Sequence, residues 1–192
     1  LPYRRIRNIL TSRQSSVVPG FEDVAGWCAS QNSRLRRWMI QHDPEATICG
    51  DLSGFSDMER AELTESLLAR LDDLEYFTGE AIWTHGRKLG HAGVGAQLRP
   101  YIVDVSKSDH VRNAAIDIAM LCNAGDLAGT LVDRITNENE ASRIRCDACH
   151  ALEKLGRAEH KRKIKPILPE ADANSDEELK GSLLSVLWPE HV

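Results

Sequence analysis

Residues 97–188 repeat one short pattern three times, and this repeat constrains the fold more than any other feature of the sequence. Each copy places an apolar residue directly before a basic one, and the three bases are Arg112, Arg145 and Lys180. Arg112 and Arg145 are 33 residues apart, and Arg145 and Lys180 are 35 residues apart. A period of this length is typical of stacked helical hairpins, because one hairpin cannot bury its own apolar face.

The apolar residues around each base recur with the spacing of an amphipathic helix. The predicted buried positions of the three helices are Val111, Ala114, Ala115, Ile118, Ala119 and Cys122; Ile144, Ala148, Ala151, Leu152 and Leu155; and Leu179, Leu183 and Leu187. A shorter amphipathic segment precedes each helix, at residues 97–105, 126–136 and 158–168. The pattern predicts an all-α fold, an α-solenoid of stacked helical hairpins.

Residues typical of helix ends lie where this interpretation needs them. Ser108 precedes the first of the three helices, and Ser175 with Glu178 has the spacing of a capping box before the third. Gly125 and Gly156 follow helices, where a left-handed residue is expected.

Residues 1–96 are also predicted to be helical, but with less regular periods. Ser56 and Glu59 have capping-box spacing before a long helix whose buried stripe is Leu63, Leu67, Leu68 and Leu71. A shorter helix over residues 21–30 carries Phe21, Val24, Trp27 and Cys28 on one face, which predicts that this face is buried. We expect one helical domain over residues 1–192, with irregular or degenerate repeats in 1–96 and about three repeats in 97–192.

The period and apolar pattern of residues 97–192 resemble HEAT-like α-solenoid repeats. Three short motifs look like the helical region of large bacterial NACHT/STAND-type NTPases, some of which are antiphage sensors. They lie at residues 41–44 (Gln-His-Asp-Pro), 97–102 (Gln-Leu-Arg-Pro-Tyr-Ile), and 178–181 with 187–189 (Glu-Leu-Lys-Gly and Leu-Trp-Pro). The resemblance implies a sensor or regulatory region whose parent protein carries its nucleotide site elsewhere and serves antiviral defence.

From the composition we expect a cytoplasmic globular protein. The chain has 192 residues, 42% of them hydrophobic, and a net charge of −5, which argues against a dedicated nucleic-acid binder. No apolar run is long enough to span a membrane, and the start has no signal-peptide pattern. Five scattered cysteines are typical of reduced thiols in the cytosol. The start at Leu1 and the end at Val192 suggest a fragment of a longer chain.

Charge is segregated along the first half of the chain. Residues 1–40 carry seven Arg against two acids, giving +5, whereas residues 41–80 carry eleven acids against two Arg, giving −9. The simpler interpretation is two solvated faces, and the more specific one is a docking surface for a charged partner.

Several short motifs resemble chemical sites but lack the context those sites require. Residues 146–150 match the haem-attachment pattern C-x-x-C-H, and the same cysteines with His160 could be proposed as zinc ligands, but the match lies inside a predicted helix. Four glycines between residues 86 and 95 follow no strand and lack the Gly-Lys-Ser/Thr of a phosphate loop. Ser106, Asp109 and His110 are the residue types of a catalytic triad, but adjacency in sequence does not build one, and Ser108 and Asp109 are better explained as helix-start residues. We predict no catalytic, cofactor-binding or metal-binding residue.

Arg112, Arg145 and Lys180 have two interpretations. They form ion pairs that fix the stacking of neighbouring repeats, with acids such as Asp109, Asp147 or Glu177, or they form an exposed interaction face for an acidic peptide or phosphates. We predict a non-catalytic scaffold that binds a protein ligand or other domains of its parent. The alternatives are a free-standing HEAT-like nucleic-acid-binding protein or DNA-repair enzyme, and a purely structural spacer.

Overall fold

A computed structural model describes residues 3–11, 16–73, 79–169 and 176–188. The regular elements in these ranges are helices, with one isolated antiparallel bridge between Thr11 and Val17. The predicted all-α class is therefore confirmed for the described part of the chain. Contacts divide the chain into two compact units, residues 1–93 and 94–192. None of the described helices is long and apolar enough to cross a membrane.

The first unit contains six described α-helices and a 3₁₀ turn at Gly86–Leu89. The helices are α1 (Tyr3–Leu10), α2 (Glu22–Gln31), α3 (Ser33–His42), α4 (Pro44–Cys49), α5 (Asp57–Asp73) and α6 (Glu80–His85). Asn32 begins α3, because its side chain accepts from the amides of Arg34 and Leu35. The predicted capping box of α5 is confirmed, since Ser56 and Glu59 each accept from the other's backbone amide.

Helix α5 buries the predicted stripe, whereas α2 presents the opposite face from the one expected. Leu63, Leu67 and Leu68 are fully buried. On α2, Phe21, Val24 and Trp27 are 44%, 47% and 64% exposed, so the predicted burial of these side chains is wrong. The core face of α2 consists of small residues, Ala25, Gly26 and Ala29.

The reason for this reversal is a close approach of two helix backbones. A Cβ added to Gly26 would lie 2.4 Å from the Cα of Gly50, which follows α4. Only small residues on α2 permit this contact, so the larger apolar side chains point to solvent.

The second unit contains six described α-helices that pair as hairpins. They are α7 (Val94–Val103), α8 (Asp109–Leu121), α9 (Ala128–Thr136), α10 (Ser142–Leu155), α11 (Ala158–Ile164) and α12 (Glu177–Leu187), with 3₁₀ turns at Gly125–Leu127 and Lys165–Ile167. Helix α7 packs on α8, α9 on α10 and α11 on α12. The second helices also contact one another in order, as do the first helices, so this unit has two helical layers.

The predicted buried positions of the three second helices are confirmed, apart from Cys122, which is half-buried. Ser108 accepts from the amide of Val111 and begins α8, as predicted. Ser175 lies outside the described residues, and Asp176 begins α12 by accepting from Leu179.

The prediction of a left-handed backbone at Gly125 and Gly156 is wrong. Gly156 is extended, with φ −78°, and the positive φ after α8 belongs to Asn123 (57°). The lack of a side chain at Gly156 instead permits close packing at the end of α10. A Cβ there would lie 2.5 Å from the carbonyl oxygen of Leu152.

Candidate functional site

Arg112 lies in the interior of the second unit. Its side chain is 3% exposed, and its Nε and Nη2 donate to the carbonyl oxygen of Ile102, near the end of α7, at 3.3 and 3.1 Å. Nη1 and Nη2 donate to the two carboxylate oxygens of Glu140 at 2.8 and 2.6 Å. Arg112 therefore ties its own hairpin together and joins it to the segment that precedes α10.

Arg145 repeats the first of these contacts in the next hairpin. It is 7% exposed, and its Nε donates to the carbonyl oxygen of Ile135 at 2.9 Å. In both hairpins the acceptor lies ten residues before the arginine, and the two contacts are 33 residues apart. Guanidinium donors at these positions satisfy carbonyl groups that a helix end leaves without intrahelical partners.

Arg112 and Arg145 are therefore buried and Lys180 is half-buried, whereas the interpretation as an interaction face requires exposed side chains. The geometry favours the ion-pair interpretation, but the acid bonded to Arg112 is Glu140 rather than Asp109 or Asp147. A single acid in a loop has no periodic signature, and sequence reasoning missed it for that reason.

Glu140 stays ionised in its buried position because three donors face it. Burial opposes ionisation, but hydrogen bonds from Arg112 and the amide of Ala141, together with the charge of Arg134, lower its pKa below the usual value. Arg134 donates to the same carboxylate at 3.2 Å. A buried carboxylate with two arginine partners serves structure rather than proton transfer.

Two acids on facing helices, Asp117 of α8 and Asp147 of α10, have pKa values shifted in the opposite direction from that of Glu140. Burial, followed by the charge of Asp147, raises the pKa of Asp117 to about 7, and Arg143 offsets only part of this. The pKa of Asp147 is also raised, chiefly by burial. Asp117 therefore takes up its proton near neutral pH, far above the usual range of an aspartate, and the structure places no hydrogen bond between either carboxylate and another described residue.

The cysteine motif of α10 faces the core. Cys146 and Cys149 are 2% and 0% exposed, and burial raises the pKa of Cys149 to about 12. His150 is exposed. His160 lies in the first turn of α11, where its Nδ1 accepts from the amide of Arg157 at 3.1 Å. The structure does not bring these four side chains together, and the described residues include no group of three ligands suited to a metal.

The other chemical motifs are also separated or used in turns. Gly86 begins a 3₁₀ turn and Gly95 lies inside α7. Ser106 donates to the carboxylate of Asp104 at 2.6 Å, while Asp109 and His110 lie exposed at the start of α8.

In the first unit, the side chains of Arg60 and Lys88 donate to backbone carbonyls of the loops and helix ends, and no sequence motif predicted either contact. Arg60 donates to the backbone carbonyls of Leu52, Phe55, Lys88 and Gly90. Lys88 donates to those of Ile48, Cys49 and Gly50, at distances from 2.9 to 3.2 Å. Backbone acceptors leave no trace in the side-chain pattern, so these contacts are visible only in the structure.

The first unit also contains an open polar cleft of about 600 Å³. Its walls come from α2, the corner between α3 and α4, α5 and α6. The lining residues are Ser16, Val17, Glu22, His42, Asp43, Glu45, Ala46, Cys49, Arg70, Glu80, Ala81, Thr84 and His85. Most of its acids come from residues 41–80, the stretch that carries a charge of −9.

Asp43 organises one wall of this cleft. Its carboxylate accepts from the amide of Val17 at 2.7 Å and from that of Ala46 at 3.1 Å, so it both starts α4 and anchors the segment before α2. Arg70 reaches across from α5 and donates to the carbonyl oxygen of His42.

Comparison of the chain with models of known protein families, with curated proteins and with solved structures gives no match in any of the three.

Proposed function

We propose that this chain is a non-catalytic protein-interaction module whose second unit is a short α-solenoid of HEAT-like hairpins. The observation that carries the proposal is the repeated contact of Arg112 with Ile102 and of Arg145 with Ile135, 33 residues apart. One hydrogen bond that recurs at the sequence period supports the equivalence of the hairpins α7–α8 and α9–α10. Stacked hairpins of this kind leave long helical surfaces on which proteins bind.

Exposed aromatic residues support a protein partner. Trp27, Trp83 and Trp188 are 64%, 55% and 71% exposed. Tryptophan is enriched among the residues that contribute most to binding at protein interfaces. The role as sensor or regulatory region of a larger bacterial NTPase stays a prediction, and it depends on the short motifs at residues 41–44, 97–102 and 178–189.

A free-standing nucleic-acid binder is the rival of a different class. It needs a basic groove, and two of the three bases that define the repeat are used inside the second unit. Titration with duplex DNA at low ionic strength separates the two proposals, because a true groove gives binding that falls steeply with salt. We expect no saturable binding.

The interaction role is tested by replacing the three exposed tryptophans with alanine and isolating the tagged protein at its native expression level. We expect a specific protein that co-purifies with the wild type to be reduced at least about tenfold with the variant, as is usual when several anchor residues are removed. The matched control replaces the exposed polar residues Arg37, Glu138 and Lys163. Absence of any specific co-purifying protein would favour the structural spacer. A partner that both variants retain would show that the three tryptophans are not its binding residues.

A further inference from the structure

The cleft of the first unit has the dimensions of a ligand site. Its volume of about 600 Å³ falls within the range that small-molecule sites occupy, which is roughly 300–1,000 Å³. Five different helices supply its polar groups. This feature is independent of the repeats in the second unit.

The described residues that line the cleft carry an unbalanced charge. They include four carboxylates (Glu22, Asp43, Glu45 and Glu80) and one guanidinium, that of Arg70, which gives these residues a formal charge of −3 with both histidines neutral. Lys88 lies close enough to act on Cys49, but its ammonium group is used by three carbonyls at the end of α4.

Two of these charges are already used by the fold. Asp43 accepts two backbone amides, and Arg70 donates to the carbonyl of His42. The remaining carboxylates are those of Glu22, Glu45 and Glu80. Within the part of the chain that the structure describes, none of the three has a hydrogen bond or a salt bridge.

Glu45 shows the consequence of this imbalance. Its side chain is half-buried, and burial and the neighbouring charge of Asp43 together raise its pKa, while Arg70 compensates only in part. A cation in the cleft would remove this unfavourable interaction. The pKa of His85 is lowered, first by burial and then by Lys88, so its imidazole is neutral near pH 7 and adds no positive charge to the cleft.

We propose that this cleft binds an organic cation, with an ammonium or guanidinium group lying among Glu22, Glu45 and Glu80. The hydroxyl of Thr84 and the ring of His85 offer further acceptors on the same wall. The cavity is far larger than a bare metal ion needs, and the described residues hold no cluster of three metal ligands. The cation is either a free polyamine or the Lys or Arg side chain of a protein partner.

The test is calorimetric titration of the full chain at low ionic strength with two probes. One probe is spermidine, and the other is a blocked tetrapeptide that contains two arginines. We expect saturable binding that weakens with added salt, because exposed charges are screened. Glu45→Gln with Glu80→Gln should weaken binding by about tenfold or more, since both carboxylates face the bound cation. The matched control is Glu138→Gln, an exposed glutamate of the second unit that does not line the cleft.

The outcomes separate the two sources of the cation. Tighter binding of spermidine indicates a free polyamine, and tighter binding of the peptide indicates a partner's basic side chain. Absence of saturable binding of both probes overturns the proposal, as does unchanged affinity in the double variant. If the double variant fails to fold, Glu80→Gln alone replaces it, because Glu80 is exposed, and it should weaken binding about threefold.

Discussion

Arg112 donates hydrogen bonds of 2.8 and 2.6 Å to the two carboxylate oxygens of Glu140, and both side chains are 3% exposed. The same guanidinium holds the carbonyl oxygen of Ile102. One side chain therefore links α7, α8 and the segment before α10, and so links two consecutive hairpins. A buried pair of this kind is costly to break, because the remaining charge has no water to replace its partner.

Glu140→Gln should lower the free energy of unfolding by about 3–5 kcal/mol, because it leaves the buried charge of Arg112 without its counter-charge. Urea-induced unfolding followed by circular dichroism measures this change. Glu138→Gln, two residues away and exposed, should stay within about 0.5 kcal/mol of the wild type. Replacing both partners (Arg112→Met with Glu140→Leu) should recover much of the loss. A loss below about 1 kcal/mol in Glu140→Gln would show that the pair does not hold the hairpins together.

Gly26→Ala should destabilise the first unit by about 1–3 kcal/mol or more, because the added Cβ would lie 2.4 Å from the Cα of Gly50 and the two backbones must separate. Thermal unfolding measures the effect. Gly181→Ala provides the control. Gly181 lies inside α12, where an added Cβ would have no other atom within 4 Å, so this substitution should stabilise by about 0.5–1 kcal/mol. Equal behaviour of the two variants would contradict the close packing of α2 against the end of α4.

Because the pKa of Asp117 is raised, the free energy of unfolding should fall as the pH rises. Its pKa is about 7 in the folded chain and about 3.9 in the unfolded chain. Between these values the folded state holds a proton that the unfolded state has released, so stability falls as pH rises from about 4 to about 7 and is then constant. Asp117→Asn cannot ionise, and relative to the wild type it should gain up to about 4 kcal/mol between pH 4 and pH 8.

Chemical denaturation at a series of pH values tests this prediction, with the difference between variant and wild type as the measured quantity. Groups such as Glu140, whose pKa is lowered, contribute the opposite slope, and they cancel in the difference. Asp133→Asn on the exposed face of α9 is the control, and its free energy of unfolding should stay within about 0.5 kcal/mol of the wild type. Parallel curves for Asp117→Asn and the wild type would show that the pKa of Asp117 is not raised in the folded chain.

Cys146 and Cys149 should resist alkylation in the native protein. Both thiols are buried, and burial raises the pKa of each, that of Cys149 to about 12, so little thiolate exists at pH 8. The half-buried Cys28 should react with iodoacetamide at least about tenfold faster, as peptide mass spectrometry over time would show. In guanidinium chloride all five cysteines should react at similar rates. Rapid native labelling of Cys149 would contradict its place in the core of α10.

The faces of regular helices were predictable where the apolar period is long, and not where the packing is unusual. Leu63, Leu67 and Leu68 are buried as predicted, because a stripe of leucines over several turns is removed from water only when that face of the helix packs on the core. On α2 the same reasoning failed. Trp27 is exposed because the contact between Gly26 and Gly50 needs a small-residue face, and no local signal shows which of two faces meets another backbone.

The sequence by itself determined the helical class, the helices around Arg112, Arg145 and Lys180, and the period that relates them. These follow from local apolar spacing and from the need of each hairpin to cover its apolar face. Only the tertiary structure decided that Arg112 turns inward to Ile102 and Glu140, and that three glutamates line one cleft. The physical reason is that a charged side chain has partners at many sequence separations. Packing of distant helices selects among them, and sequence spacing alone does not.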